Sequence, residues 1–480
     1  MRNKYLQMSL FDTYKSVEER LETNKPEIFR LLDEHLDWDE IIPQTFYHAF
    51  YQRFGRKRNF DLESFMRALF LQRIFHYVED SQLLNTLRFS QEMRDFCGFD
   101  NVPDASKLTR FKQNFCSHIR DVFERLVDIT EPICREMDSA LADMFIFDTT
   151  GIESYVTENN PKFANKMAAQ SKFIAKIDTS FDPSSGANAL FPKVAASNSA
   201  VKQQYINGHF CYAQKAAVVS NGLGIVRHLE LFDEDFKNRH PEMQIEKRTN
   251  HPEIDKEIGD STSLKPVLLD FCAKHPTLTY GTFSADAAFD KYDHYSFLIK
   301  ECNFSKAVIP INPRGGLPVS DVAFNENGTP LCPKDGTSFL FHSKSGGKKR
   351  SARIKYVCPK TETFKTQSGG VTRRCFCDNP CSDSLYGKCV YVYPDKNLRL
   401  YPGLSRDSDE FPKIYNRRTS VERSINTLKD TLGIANRKTS NVLTTKTDLF
   451  LAGIVQLLCV LFAHKLHDVK LARRPRRLIA

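Results

Sequence analysis

The stretch MFIFDTTGI, residues 144–152, is where the chain changes character. An apolar run from Met144 to Phe147 ends on Asp148, and Thr149, Thr150 and Gly151 follow it, which reads as a short strand opening into a turn. Downstream, HFCYAQKAAVVSNGLGIVRHLEL (residues 209–231) gives two strand-like runs separated by Asn221 and Gly222, a hairpin signal. A helical stretch near Ser263 to Lys274 comes next, then the strand TLTYGTFSAD (277–286), a helix through Lys300 and the strand FSKAVIPIN (304–312). Strands first, then helix and strand in alternation, predict an α/β fold with a mixed sheet flanked by helices over residues 140–312. The Ser-, Asn-, Ala- and Lys-rich connection at 156–203 is expected to be a long loop, functional or partly disordered.

Upstream of this stretch, residues 1–135 carry long amphipathic patterns such as ESFMRALFLQRIFHYV and IRDVFERLVDITEPICREM, which predict a helical domain. Within it PDASKLTRFKQNF fits a helix-turn-helix-like unit capped by Asp104 or Ser106, with Lys107, Arg110 and Lys112 facing DNA and Arg53, Arg56, Lys57 and Arg58 upstream. A plain helical bundle explains the same pattern. Beyond Asn312, residues 313–411 turn to Gly, Ser, Lys and short alternating segments, a β-rich insertion. Helical character resumes over 412–465, expected as the second part of the core, and a basic tail closes the chain at 466–480.

A chain of 480 residues with 41% hydrophobic and 26% charged content has apolar surface for several structural units and is not disordered in composition. Its net charge of +9 is concentrated: Leu331 to Cys375 holds eleven Lys or Arg against two acids, equal to the whole excess. Such a field suits a phosphate backbone, with Lys348, Lys349 and Arg350 as the densest run, although a solvated loop would look the same. MRNKYLQMSLFDTY lacks the apolar core of a signal peptide, which points to the cytoplasm and to reduced cysteines. LFLAGIVQLLCVLFA, Leu449 to Ala463, is short for a membrane span and is expected to be a buried core helix. Of the thirteen cysteines, Cys332, Cys358, Cys375, Cys377, Cys381 and Cys389 fall in the insertion. Four of these thiolates could close a tetrahedral zinc shell, but their spacing, Cys375-x-Cys377-x3-Cys381-x7-Cys389, lacks paired C-x2-C knuckles, so structural zinc is possible there without being favoured.

The helix expected from Pro412 onward reads YNRRTSVERSINTLKDTLG. At about 100° per residue, Tyr415, Arg418, Glu422 and Lys429 share one stripe beside an apolar stripe of Val421, Ile425, Leu428 and Leu432. Singly, Asp148 can start a turn, Asp286 can cap the helix at Ala287, and Arg418 and Glu422 can be an ordinary surface pair. Together, two strand-end aspartates and a helix-edge glutamate supply the hard oxygen ligands that two Mg²⁺ or Mn²⁺ ions need for phosphodiester chemistry.

Tyr415, Arg418, Glu422 and Lys429 match the Tyr-x2-Arg-x3-Glu-x6-Lys signature, and with FDTTGIE, SADAAFD and residues 45–115 the chain resembles the DDE transposases of bacterial insertion sequences. The resemblance implies an RNase H-like core interrupted by an insertion, with Asp148, Asp286 and Glu422 as metal ligands and Tyr415, Arg418 and Lys429 on the transposon-end backbone. It further implies cleavage and strand transfer on transposon-end and target DNA by a homodimer, without a covalent protein intermediate. A nuclease on the same core without strand transfer, and a DNA-binding descendant that no longer cuts, fit the same residues.

Overall fold

The computed structural model describes residue 15 and residues 27–52, 57–182, 190–206, 209–243, 258–312, 322–325, 327–347, 350–367 and 369–479. The chain divides into two compact units. One takes residues 1–133, 154–156 and 426–480, the other 134–153 and 157–425. The stretch 412–465, expected to lie wholly in the core, is therefore split at residue 426.

The first unit is helical, and its charges explain the split. The helix Val442–Lys465 is capped by Asn441, whose side chain accepts from the Thr444 N–H. It is long and apolar enough to cross a membrane, yet 89% of its most apolar window is buried, in keeping with a core helix. Asp448 within it accepts from Arg73 at 2.7 Å and Arg437 at 2.7 Å and pairs with Lys112 at 3.2 Å, binding it to the N-terminal helices Leu62–Ile74 and Ala105–Asn114. Lys112 is thus not a DNA-facing residue. It lies one turn after Leu108 and beside Phe111 on the buried face of its helix, fully enclosed, and also bonds Asp80.

The second unit is built on a seven-stranded mixed sheet. Its strands are β1 (Met144–Glu153), β2 (Val194–Ala195), β3 (Asn198–Ile206), β4 (His209–Ser220), β5 (Val226–Leu231), β6 (Thr282–Ser284) and β7 (Lys306–Val308). The order is β2-β3-β4-β1-β6-β7, with β5 also pairing β4. β1 runs antiparallel to β4 and parallel to β6, and β6 parallel to β7. β4 and β5 form the expected hairpin, its turn closed by the Asn221 side chain accepting from the Leu223 and Ile225 N–H groups and by Gly224 at φ +80°. Alternation along β1 gives its two faces different work. Phe145 and Phe147 enter an apolar cluster with Leu264, Val267, Leu268 and Phe271 of the helix Asp260–Lys274. Asp148 falls on the other face.

Within the connection at 156–203, expected as a loop, Pro161–Ile177 is a helix with Pro161 in its first turn and Asn160 as cap, burying Met167 and Ser171 on one side. The described residues between 322 and 411 are rich in strands. β8 (Leu340–Gly347), β9 (Arg350–Val357) and β12 (Cys389–Val392) form one sheet, and β10 (Thr361–Lys365) and β11 (Val371–Cys375) a second.

Candidate metal centre

Two aspartates are brought level by strand register. Parallel pairing of β1 with β6 matches Met144 to Thr282 and Ile146 to Ser284, a constant offset of 282 − 144 = 138. Asp148 and Asp286 are separated by the same 286 − 148 = 138, so each stands two residues past the last paired position of neighbouring parallel strands. Adjacent strands lie about 4.8 Å apart, which brings these residues together where the parallel pairing ends; β1 itself does not turn after Asp148, as the sequence suggested, but continues to Glu153 against β4. Asp286 also caps the short helical turn Ala287–Phe289, its side chain accepting from the Ala288 N–H at 2.9 Å. Its role as a cap, weighed from sequence, is therefore real and coexists with its place beside Asp148.

Glu422 arrives on the helix Thr419–Asn426, which buries Ser420, Val421, Ser424 and Ile425. Two hydroxyls fasten that helix to the hairpin turn: Ser420 donates to the Gly222 carbonyl at 2.9 Å and Ser424 to the Gly224 carbonyl at 2.7 Å. Sequence reading passed over both serines. Their signal was spacing, since Ser420 and Ser424 lie four residues apart on the apolar face of SVERSI. The segments flanking the helix are not uniform: before it Glu410–Tyr415 is α-helical and Asn416–Arg418 a 3₁₀ turn, and after it Thr427–Thr431 is a π turn.

The Tyr415, Arg418 and Glu422 stripe nonetheless survives. Arg418 donates to Glu422 at 2.6 Å, lies 3.5 Å from Asp148, and sits 5.8 Å from the Tyr415 ring centroid. Lys429 lies within the π turn and falls in the other unit. Lys348 and Lys349 lie outside the described residues, as do Arg53 and Arg56, and Arg350 is described only as the first residue of β9.

Burial pushes the Asp148 carboxyl up to about 6. The Thr149 N–H and Arg418 work against this, and the Asp286 and Glu422 charges add to it. One guanidinium does not offset burial and the two neighbouring acids, although the donor atoms of Asp148, Asp286 and Glu422 do not all lie within 4.8 Å of one another. The donor set is all oxygen, carries excess negative charge, and leaves Glu422 46% exposed, which suits a hard divalent cation. Asp290, the second acid of SADAAFD, is not part of it: Arg399 grips it at 2.6 Å, Tyr295 donates to it at 2.8 Å and the Asn312 N–H at 2.7 Å, all within the interior. Asp260 serves the opposite face of β1, accepting from the Thr149 hydroxyl and pairing with Lys215.

A second candidate surface lies in the helical unit. Lys57, Arg58, Lys107 and Arg110 line a cleft of about 400 Å³ floored by phenylalanines. Arg58 stacks 4.7 Å over the Phe50 ring and donates to its carbonyl, Lys107 stands 4.7 Å over Phe60, and Arg110 bonds Ser106. Asp104 caps the helix, as expected, by accepting from the Lys107 N–H.

Residues 16–114, about a fifth of the chain, match the family model described as Transposase domain (DUF772). No curated protein matches the chain. Among solved structures, the chain is similar to a piggyBac transposase synaptic complex with hairpin DNA, at 10% identity and a TM-score of 0.36, over 93% of this chain and 78% of that one. The likeness is too distant to fix the fold. The segment that resembles a transposase domain is also the one that carries the basic cleft.

Proposed function

We propose that the protein is a DDE transposase that binds transposon ends and carries out metal-dependent cleavage and strand transfer of DNA, with Asp148, Asp286 and Glu422 as metal ligands on an RNase H-like core. The carrying observation is the register that sets Asp148 level with Asp286 while the glutamate helix brings Glu422 close enough to perturb the same carboxyl. A sheet with an antiparallel half and a parallel half supports the core assignment. The transposase-domain match over residues 16–114 supports the function class.

When bound, two Mg²⁺ or Mn²⁺ ions would supply Lewis acidity at the attacking and leaving oxygens of a phosphodiester. The chain's own residues do the rest. Asp148 must shed its proton to become a ligand, and its neighbours set the pH at which it does so. Arg418 spans Asp148 and Glu422, supplying part of the positive charge these acids lack. With cations in place, its fork is free to grip a backbone phosphate, steadied by the Tyr415 ring. Lys429 adds a second backbone contact. Lys57, Arg58, Lys107 and Arg110 offer a further phosphate-binding surface, and the insertion contributes Arg353 and Lys355 on the face of β9 opposite Ile354 and Tyr356, with Lys348, Lys349 and Arg350 before them. The partners are transposon-end and target DNA, held by a homodimer in the cytoplasm.

The test uses the full chain with Mg²⁺ and DNA bearing the element's own flanking ends. Cut and joined products are expected from the wild type, whereas Asp286→Asn and Glu422→Gln should shift the same DNA in a gel and give no product. Near-normal cutting by either variant removes that acid from the site. Cleavage without joined products by the wild type would favour a nuclease.

A further inference from the structure

Four cysteines that are scattered in sequence share one small core in the insertion. Cys332, Cys358, Cys375 and Cys381 all belong to the apolar cluster around Phe339, Ile354, Tyr356, Val390 and Val392, whereas Cys377 and Cys389 do not. The four are separated by 26, 17 and 6 positions (358 − 332, 375 − 358, 381 − 375), so no local knuckle spacing reveals them. The fold does the gathering. Cys332 opens the turn after the Leu331 to Ser338 bridge, Cys358 follows β9, Cys375 ends β11, and Cys381 lies in the loop beyond.

The surroundings resemble a ligand shell. Cys332 and Cys358 each begin a Cys-Pro-Lys turn: Gly336, at φ +72°, donates its N–H to the Cys332 carbonyl, and the Cys358 sulfur accepts from the Lys360 N–H. An N–H aimed at sulfur favours a thiolate, the form that binds metal, while burial and the neighbouring thiols hold Cys358 and Cys381 above the ordinary thiol value until a cation arrives. The sulfurs meet in pairs, Cys381 against Cys332 and Cys358 against Cys375, with Cys358 also within electrostatic reach of Cys381. They line a cavity of about 10 Å³, enough for one small occupant; Cys377 borders it as well but stands outside the apolar cluster and outside the two sulfur pairs. Gly387 closes one side, where an added Cβ would stand 3.2 Å from the Cys358 Cβ and 3.5 Å from that of Cys375. Lys360 lines the cavity and is paired with Asp335 at 2.6 Å, which places a cation beside the sulfurs.

We infer that Cys332, Cys358, Cys375 and Cys381 form a structural zinc site that holds the insertion together. Four sulfur donors with no open position suit Zn²⁺ in a tetrahedral shell, and a hard cation such as Mg²⁺ would reject them. The apolar cluster here is small, which is the setting in which a metal supplies folding energy that packing cannot. No three of these sulfurs close within 4.8 Å of one another, so uptake of the ion draws the two pairs together. Among the described residues the group whose donor atoms do close within 4.8 Å is Glu153, His209 and Cys211, two of them exposed. Its mixed donors make it the control.

Purified full-length protein, kept reduced, should carry about one zinc per chain by elemental analysis. Replacing that ion with Co²⁺ should give the sulfur-to-metal charge-transfer band and intense visible bands of a tetrahedral thiolate site. Cys358→Ser with Cys381→Ser should lower the zinc content roughly tenfold, while Cys389→Ser and His209→Ala should retain it. The cobalt spectrum of the wild type stands even if the double variant fails to fold. The inference is overturned if the reduced protein holds no zinc, if the metal is lost with His209→Ala and kept without Cys358 and Cys381, or if peptide mapping finds Cys332–Cys381 and Cys358–Cys375 joined as disulfides.

Discussion

Asp448 and Asp148 are both aspartates taken largely out of water, and the two units treat them in opposite ways. Burial pushes Asp448 up, yet Arg437, Arg73 and Lys112 overrule it and hold its carboxyl down at about 2. At Asp148 burial wins: Arg418 is the one nearby cation among the causes, two acids add to the effect, and the carboxyl rises to about 6. The charge balance of the neighbours decides the outcome, not depth. The first cluster is neutralised by the chain itself. The second waits for charge from elsewhere, as a site for a bound cation does and a structural pair does not.

The largest effect should come from breaking the neutralised cluster. Asp448→Ala leaves Arg73, Lys112 and Arg437 buried with the central carboxylate gone, and loss of one partner from a buried ionic network costs about 3–5 kcal/mol. Denaturant unfolding of the two proteins measures it. A loss below about 1 kcal/mol would mean that solvent reaches these cations and that the cluster does not hold the helix Val442–Lys465 in place.

Removing the other aspartate should do the reverse. Because the folded value lies above the ordinary 3.8, ionising Asp148 works against folding: the cost is absent below about pH 3.8 and complete above about pH 6. Asp148→Asn keeps an oxygen for the Thr149 N–H and sheds the charge, so it should stabilise the metal-free protein by about 1–3 kcal/mol at pH 8 and leave it unchanged at pH 4. Mn²⁺ should raise the melting temperature of the wild type and not of the variant, with metal affinity falling as pH drops through 6. A variant less stable than wild type at pH 8 would show that Asp148 is satisfied where it stands.

The turn expected at Asp148 is absent, since β1 runs on to Glu153 in register with β4. Asp148 and Asp286 could still be read from sequence, each closing a short apolar run that is visible without knowing its neighbours. Their common level could not, because it depends on β1 pairing in parallel with β6 across 138 residues. Lys112 was misread as DNA-facing for want of a partner: a lysine beside Phe111 reads as surface until Asp80 and Asp448 arrive from other elements. The glutamate helix was legible from Thr419 to Ile425, where its period is regular, and illegible where the 3₁₀ and π turns bend it. The insertion cysteines were visible in sequence, with zinc possible but not favoured by their spacing; which four share one core was not legible, because only the strands of the insertion bring them together.

A smaller effect should follow from loosening what carries Glu422. Ser424→Ala removes the hydroxyl that donates to the Gly224 carbonyl within the interior, which costs about 1 kcal/mol of stability. If the bond sets the pitch of the helix, Mg²⁺-dependent cutting should fall more than that loss predicts, and Ser424→Thr should recover part of it. Equal, small losses in both measurements would reduce the serine to a packing role.

The smallest expected effect on stability is at Glu422 itself, and it completes the contrast with Asp448. Its side chain is 46% exposed, and its bond to Arg418 is an i,i+4 pair on a helix surface, a kind of contact worth about 0.3–0.5 kcal/mol. Against that loss, Glu422→Gln takes away one of the two negative charges that hold the Asp148 carboxyl high, so part of the cost of ionising Asp148 is returned. The two terms have opposite signs and similar size, and the variant should unfold within about 0.5 kcal/mol of wild type in metal-free buffer. Stabilisation by added Mn²⁺ should nevertheless be lost, because the carboxylate that completes the donor set is gone. A variant that unfolds as easily as Asp448→Ala would make Glu422 a structural residue. One that keeps the full Mn²⁺ shift would leave Asp148 and Asp286 to hold the metal without it.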